Sequence, residues 1–392
     1  MDPLGDAVQH GPDCAQHREE NNMSRYPNPS RVLRASLFFL MCSLSACVWA
    51  GPLEPVMTNN PLLADPRPWC IGRLVIDRTV HGELSYEKYE YWGDKIEITH
   101  GVSVGTFQHM VSTRENELRT KKRTGSISYK AMLARGLKSM IFETDTPWLE
   151  QAVSPTKTSR LLIFKEDSGR PDALLTQEVY VLAGSTMLVM THLLRHSDIQ
   201  RSIQLSTDVY PYITHRDNWS IPTERGFCID GALIGGPSRN SELAEQTIVL
   251  QPGRPSAFVI KTRSALDIDQ QASLLKSLPE LRRTLREQGY GSVQILREGK
   301  RQVAGMEVEE VLFSIKEGAI QLFRFYLLMP GVYHSTLQPH TEIQLMLGDA
   351  LTDADKSSGV KPDEVSSPVD EAGALEVWDT LLNSLRVRPG AL

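Results

Sequence analysis

The sequence predicts an α+β protein of two similar-sized domains, each a mainly antiparallel sheet with packed helices. Three observations point to this class. Strand-like apolar runs follow one another through short turns such as Glu317-Gly318, which favour antiparallel pairing over crossover connections. Amphipathic helical segments lie between groups of strands. About 340 residues follow the leader, a length that suits two hydrophobic cores better than one.

The chain opens with a leader at residues 1–50, a polar upstream extension followed by a segment typical of a secretory signal. Arg31 and Arg34 precede an apolar run shorter than the ~20 residues that a membrane-spanning helix needs. The run ends in Leu44-Ser45-Ala46-Cys47, which is typical of a bacterial lipobox and would make Cys47 the acylated first residue of a lipoprotein. Two alternatives stay open: ordinary cleavage after Ala50, which releases a soluble protein, or a Cys47 that is only one apolar residue of the signal.

Export of the chain makes disulfide formation between its cysteines plausible. Of the five cysteines, only Cys70 and Cys228 follow the leader. In an oxidising compartment this pair is a candidate disulfide, and its long loop would stabilise the fold by about 4 to 5 kcal/mol. The alternative is two buried free thiols that act as small apolar side chains.

An internal echo sets the domain boundary. Residues 67–76 contain an aromatic residue, Cys and Ile in the same order as residues 225–234. Such a repeat indicates a duplicated structural unit, and the alternative is a coincidence. The polar stretch 214–224 is the expected hinge. We predict a tether, an N-terminal α+β domain and a C-terminal α+β domain, at residues 51–65, 66–221 and 222–392 respectively.

Hydrophobic periodicity places the elements within each domain. In the first domain we predict helices at 106–122 and 198–209, and strands at 71–77, 89–99, 161–164, 178–182 and 187–190. In the second we predict helices at 269–288 and around 375–385, and strands at 247–250, 257–262, 293–298, 306–316, 320–329 and 342–347. Residues 349–372 are acidic and rich in Ser, Pro and Gly, which predicts a mobile loop.

Charge argues against nucleic acid as a partner. The formal net charge of the whole chain is −6, and removal of the leader leaves it near that value, whereas phosphate binding needs clustered Lys and Arg. The one dense basic run, Lys121-Lys122-Arg123, is interpreted as a solvated helix end.

Motifs for catalysis and metal binding are missing or isolated. There is no Gly-x-Ser-x-Gly nucleophile elbow, and His215-Arg216-Asp217 resembles a kinase triplet without its glycine-rich loop. His192 and His196 have the spacing of a helical metal pair, but their surroundings favour a strand. We therefore predict no catalytic residue, no cofactor and no metal ligand.

Two motifs resemble a known family. Trp69-Cys70-Ile71-Gly72-Arg73 and Gly226-Phe227-Cys228-Ile229 are similar to the segments that open the two domains of immunity proteins accompanying type VI secretion lipase effectors. The resemblance covers about residues 66–388. It implies a periplasmic inhibitor, not an enzyme, that clamps its cognate lipase or phospholipase between two domains, and it assigns no inhibitory residue.

Other functions remain as alternatives. One is an envelope lipoprotein, held at the membrane through acylated Cys47, that acts as a scaffold or carries a small ligand. Another is a hydrolase whose active-site residues are dispersed along the sequence. An inhibitor needs a large complementary surface in place of a catalytic group, which agrees with the absence of motifs.

Overall fold

The computed structural model describes residues 60–166, 174–239, 241–287, 292–333, 335–336 and 338–391. The predicted leader, its Cys47 and most of the predicted tether lie outside the described residues. Within the described ranges, no helix has the length and apolar character needed to cross a bilayer.

Among the described residues, the first half of the chain contains three α-helices and the strands that surround them in sequence. The helices are α1 (Val104–Thr120), α2 (Tyr129–Ala134) and α3 (Ile199–Val209). The strands are β1 (Pro66–Ile71), β2 (Leu74–Thr79), β3 (Glu83–Tyr91), β4 (Asp94–Thr99), β5 (Lys122–Ser126), β6 (Ile141–Pro147), β7 (Leu149–Val153), β8 (Ser159–Phe164), β9 (Leu175–Ala183), β10 (Thr186–Leu194) and β11 (Ile213–His215).

The second half begins with a short hairpin and ends with a docked helix. Its helices are α4 (Leu274–Glu287), α5 (Asp353–Ser357), α6 (Pro362–Val365) and α7 (Glu371–Ser384). Its strands are β12 (Gly226–Ile229), β13 (Ala232–Gly235), β14 (Leu243–Val249), β15 (Ser256–Arg263), β16 (Ser292–Val303), β17 (Met306–Glu317), β18 (Ile320–Met329), β19 (His340–Leu347) and β20 (Arg386–Val387).

The α+β class is confirmed, but the sheets of the two halves are continuous. The main sheet has the order β16-β17-β18-β19-β15-β14-β3-β4-β10-β9-β8-β7, with antiparallel pairing throughout. Strand β3 of the first half pairs with β14 of the second, for example Tyr89 with Ala244. The two halves are therefore joined by backbone hydrogen bonds across one twelve-stranded sheet.

Helices pack on this sheet through the apolar faces that their periodicity predicts. Phe107, Val111 and Leu118 of α1 are buried against the β7–β9 region, although Met110, predicted on the same face, is exposed. Trp378 of α7 is fully buried, stacks edge-on against Phe325 at 5.7 Å and donates its indole N–H to Glu310 over 2.9 Å.

Two predicted single strands, 71–77 and 89–99, are instead parts of hairpins. The chain reverses at Gly72-Arg73 and again at Trp92-Gly93, where Gly72, Trp92 and Gly93 have φ values of +57°, +59° and +87°. The apolar residues on both sides of each two-residue turn hide the reversal from a periodicity argument.

Two predicted irregular segments are packed. The tether was expected to reach residue 65, yet Leu62 and Leu63 are buried and the side-chain amide of Asn60 donates to Gly373 over 3.0 Å. The predicted mobile loop 349–372 contains α5 and α6, and Arg254 donates to the carbonyl of Ser366 over 3.2 Å. Apolar and hydrogen-bonded anchors hold both segments despite their loop-like composition.

The basic run is a solvated helix end, as predicted, only at its first residue, the exposed Lys121. Lys121 caps α1, while Lys122 and Arg123 begin β5, and Arg123 forms an ion pair with Glu150 over 2.8 Å. Strand β5 belongs to an excursion, β5-α2-β6, in which β5 and β6 pair as a separate two-stranded sheet.

Candidate functional site

The two echoed sequence segments form matching hairpins that meet each other. We call β1–β2 and β12–β13 the junction hairpins. Cys70 of the first and Cys228 of the second form a disulfide with Cα atoms 5.9 Å apart, and both are fully buried. Beside it, the amides and carbonyls of Gly72 and Cys228 exchange two hydrogen bonds of 2.9 and 2.8 Å. The junction therefore combines a covalent link with a backbone bridge.

Buried arginines reinforce the junction. Arg73, in the β1–β2 turn, forms a bidentate ion pair with Glu242, with N···O distances of 2.6 and 2.7 Å, and also donates to the carbonyl of Gly226. Arg388 donates to the carbonyls of Glu224 and Gly226 over 2.7 Å each, and burial lowers its pKa to about 10. These guanidinium groups hold the C-terminal segment, the β1–β2 turn and the start of β12 together, which is a structural role.

A polar cluster lies at the β12–β13 turn, next to a guanidinium group that packs on two indole rings. The guanidinium carbon of Arg78 lies 4.0 Å from the ring centroid of Trp69 and 4.6 Å from that of Trp219. His100 Nε2 lies 2.9 Å from Asp230 Oδ2. Burial and the nearby charge of Asp230 raise the pKa of Glu87 to about 7.

A cavity of about 310 Å³ lies between β10, α3 and the β3–β4 turn. Its wall contains an arrangement like that of a serine hydrolase: His192 Nδ1 is 2.8 Å from Asp94 Oδ1, and His192 Nε2 is 3.4 Å from Ser202 Oγ. However, the Ser202 hydroxyl also contacts Gln177 Oε1 over 2.7 Å, a shorter distance than its 3.4 Å contact with His192 Nε2. The nucleophile–base contact is therefore long, and Gln177 competes with His192 as acceptor of the hydroxyl proton.

Two groups of apolar side chains face solvent in segments that are held by hydrogen bonds at their turns. The α2 patch comprises Tyr129, Leu133, Met140 and Ile141, of which Leu133 is 60% and Ile141 65% exposed. Ser128 caps α2 by accepting the Ala131 amide, and the Ile127 amide donates to Met140 over 2.9 Å.

The second group, the Ile268 patch, comprises Leu266, Ile268, Val332 and Tyr333, of which Leu266 is 53% and Ile268 72% exposed. Leu266 and Tyr333 line a cavity of about 270 Å³ that also includes Glu90 of β3 and Leu243 of β14. Arg263 holds the turn that carries Ile268 through two hydrogen bonds of 2.6 and 2.7 Å to Asp269. Exposed apolar side chains on braced turns are typical of protein-binding surfaces.

The catalytic-like and metal-like motifs noted in the sequence have structural roles or lie on ordinary strands. Arg216 of the His215-Arg216-Asp217 triplet is buried and donates to the carbonyls of Asn218 and Ile229 over 3.0 Å each. His192 lies on β10, as its surroundings predicted, and His196 follows that strand. Neither patch was identified from the sequence, because loop-borne apolar residues have no periodicity that separates them from core residues.

Family models match most of the chain in two consecutive pieces. The N-terminal domain model of Tle cognate immunity protein 4 matches residues 67–212, and the C-terminal domain model of the same family matches residues 220–390. The family resemblance inferred from the two cysteine motifs is thereby confirmed.

Solved structures share the fold. An apo immunity protein TplEi of the type VI secretion system of Pseudomonas aeruginosa is 20% identical, with a TM-score of 0.66 over 83% of this chain and 97% of that chain. A structure described as the Tle4–Tli4 complex contains a chain that is 22% identical, with a TM-score of 0.67 over 83% and 98% of the two chains. Among curated proteins, a sequence comparison finds no match.

Proposed function

Because the chain belongs to the Tle cognate immunity protein 4 family, we propose that it binds a cognate type VI secretion lipase effector and inhibits it. The observation that carries this proposal is the tandem match of both domain models over residues 67–212 and 220–390. A relative of the same fold is described as part of a Tle4–Tli4 complex, which supports a stable association with the effector.

The α2 patch and the Ile268 patch are the surfaces that we assign to the effector. One belongs to each half of the chain, so an effector bound to both would be held as in a clamp. The rigid junction and continuous sheet limit the conformational entropy that such binding would cost. We also propose that the boundary between the two domains lies near residue 222.

Inhibition would require no chemistry from this chain. Substrate access to a lipase can be blocked by occupying its entrance, and that needs a complementary surface of about 1,200 Å² or more. The Ser202 hydroxyl lies closer to the acceptor Gln177 Oε1, at 2.7 Å, than to His192 Nε2, at 3.4 Å, which disfavours its activation as a nucleophile. We accordingly propose that the protein is not itself a hydrolase.

The proposed location is the periplasm, which the leader favours. If the leader contains a lipobox, Cys47 is acylated and the protein is retained at a membrane. Membrane fractionation of a Cys47→Ser variant tests the anchor: loss of the membrane-bound fraction would support it, and unchanged retention would exclude it.

The experiment that tests inhibition is co-expression with a cognate type VI secretion lipase effector. Cells that export the lipase should die without this protein and survive with it. A variant carrying Leu133→Asp with Ile141→Asp, and one carrying Leu266→Asp with Ile268→Asp, should each weaken binding of the purified lipase at least about tenfold. Leu193→Asp is the matched control, since Leu193 is 63% exposed but lies outside both patches.

Three results would count against the proposal. Survival of cells without this protein would remove the need for immunity. Unchanged lipase binding by both double variants would show that the two patches are not part of the interface. Inhibition would still be tested by the co-expression experiment. Lipid hydrolysis by the purified chain alone, abolished by Ser202→Ala, would show that it is an enzyme.

A further inference from the structure

The polar cluster at the β12–β13 turn brings together three residues of the types that bind metal ions. Glu87 lies on β3, His100 follows β4, and Asp230 lies in the turn between β12 and β13. One potential ligand atom from each lies within 4.8 Å of the other two. We propose that Glu87, His100 and Asp230 form a binding site for a divalent transition metal ion, with Zn²⁺ as the best match.

One oxygen of the cluster lacks a partner. Glu87 Oε2 is buried and has no partner with good hydrogen-bond geometry among the described residues, while the nearby Tyr89 hydroxyl interacts with the Glu87 carboxyl group. A buried polar atom without a partner is costly, and native proteins usually satisfy it with a protein group, water or an ion. A cation beside Glu87 Oε2 would satisfy it, and could replace the proton between His100 Nε2 and Asp230 Oδ2.

Neighbouring side chains orient the remaining atoms of these ligands. His100 Nδ1 lies 3.4 Å from Thr186 Oγ1, which leaves Nε2 directed at Asp230. Asn218 donates to Asp230 Oδ1, which leaves Oδ2 facing His100 Nε2. Such supporting hydrogen bonds are typical of metal sites that bind through imidazole and carboxylate.

The donor set and exposure favour zinc over calcium or magnesium. One imidazole nitrogen and two carboxylates are ligands that Zn²⁺ accepts, whereas Ca²⁺ and Mg²⁺ prefer oxygen alone. The side chain of His100 is half exposed, which provides an entry route and room for a water molecule as a further ligand.

Nearby cations set a limit on affinity. Arg78 and Arg216 both interact electrostatically with Asp230, so they offset part of the charge that the two carboxylates provide. The expected dissociation constant is on the order of micromolar, weaker than that of closed structural zinc sites. A bound ion would link β3 and β4 of the first half to a turn of the second.

Calorimetric titration of chelator-treated protein with Zn²⁺ tests the site. We expect one equivalent to bind, and a zinc concentration about a hundredfold above the dissociation constant to raise Tm by about 4 °C. His100→Ala and Glu87→Gln should each weaken binding more than about tenfold. Glu87→Gln keeps the shape of the side chain and removes its charge, so this variant should remain folded.

The control is a second histidine–carboxylate pair that, within the part of the chain that the structure describes, has no third metal-binding side chain beside it. His81 Nε2 lies 3.0 Å from Asp65 Oδ2 at the surface, and His81→Ala should leave zinc binding unchanged. The proposal would be overturned by wild-type protein that binds no zinc, by folded His100→Ala or Glu87→Gln protein that binds it normally, or by equal loss in His81→Ala. Equal binding of Ca²⁺ would overturn the choice of metal.

Discussion

Glycine, cysteine and arginine at the junction hairpins are buried and joined to partners, whereas the apolar side chains of the α2 and Ile268 patches face solvent. Cys70 and Cys228 have no exposed surface, while Leu133 and Ile268 are mostly exposed. Both regions use turns that depart from the main sheet. At the junction the turns face each other and are covered, but at the patches they leave their apolar side chains uncovered.

This difference predicts that the junction hairpins determine stability and that the two patches determine binding of the effector. A substitution at the junction removes a link between distant parts of the chain, so its free energy cost should appear on unfolding. A substitution in a patch removes few contacts within the protein, so its cost should appear only when the effector binds. The two regions can therefore be distinguished by measuring unfolding and binding on the same variants.

The largest effect on stability is expected at the disulfide. Replacing both Cys70 and Cys228 by Ala removes a link between residues 158 positions apart, and the chain-entropy model gives a loss of about 5 kcal/mol. Urea unfolding should show this loss in the variant, and a similar one in reduced wild-type protein. Mass spectrometry provides the check on the premise: two free thiols in protein purified from the periplasm would contradict it.

The next largest effect is expected at the buried ion pair of the junction. Glu242→Ala would leave the Arg73 guanidinium buried without its carboxylate partner, at a cost of about 3 to 5 kcal/mol. Glu280→Ala is the matched control, because Glu280 pairs with Arg283 in solvent on α4. Equal losses of unfolding free energy in the two variants would mean that burial does not change how much these ion pairs stabilise the fold.

A smaller effect with a defined pH dependence is expected where α7 docks on β16. Burial alone would raise the pKa of Asp379, but hydrogen bonds from Arg297 and Arg301 outweigh it and lower the pKa below 3.8. Since the folded pKa is below the unfolded one, the stabilisation is present above about pH 4 and is lost as the pH falls through the folded pKa.

Asp379→Asn should therefore lower the unfolding free energy by about 1 kcal/mol at pH 7. The difference from wild type should shrink as the pH is lowered below about 4. Chemical denaturation across this pH range measures it. A difference that stays constant with pH would assign the effect to packing of α7 and not to the charge of Asp379.

The sequence predicted the elements whose patterns repeat over many residues. Helix α1 and strands β8 to β10 were located because their apolar residues recur with a helical or strand period. The turns at Gly72-Arg73 and Trp92-Gly93 were missed because two residues interrupt an apolar run too briefly to change its period. The excursion β5-α2-β6 was missed because its short elements bury little apolar surface.

Features that depend on tertiary contact could not be predicted. Pairing of β3 with β14 joins residues more than 150 positions apart, and nothing in either strand specifies the other. The same holds for Glu87, His100 and Asp230, which lie on separate elements. The cysteine motifs were an exception, since an aromatic, Cys and Ile in the same order twice marked the two hairpins that meet.

The smallest effect on stability is expected in the patches. Leu133→Ala should change the unfolding free energy by no more than about 0.5 kcal/mol, because the Leu133 side chain already lies in water. Leu118→Ala is the matched control: Leu118 lies on the buried face of α1 and is fully buried, so the same change should cost about 2 to 5 kcal/mol. Thermal and urea unfolding of the two variants provide the comparison. A large loss in Leu133→Ala would mean that the α2 patch packs within this protein, and it would then be unavailable to the effector.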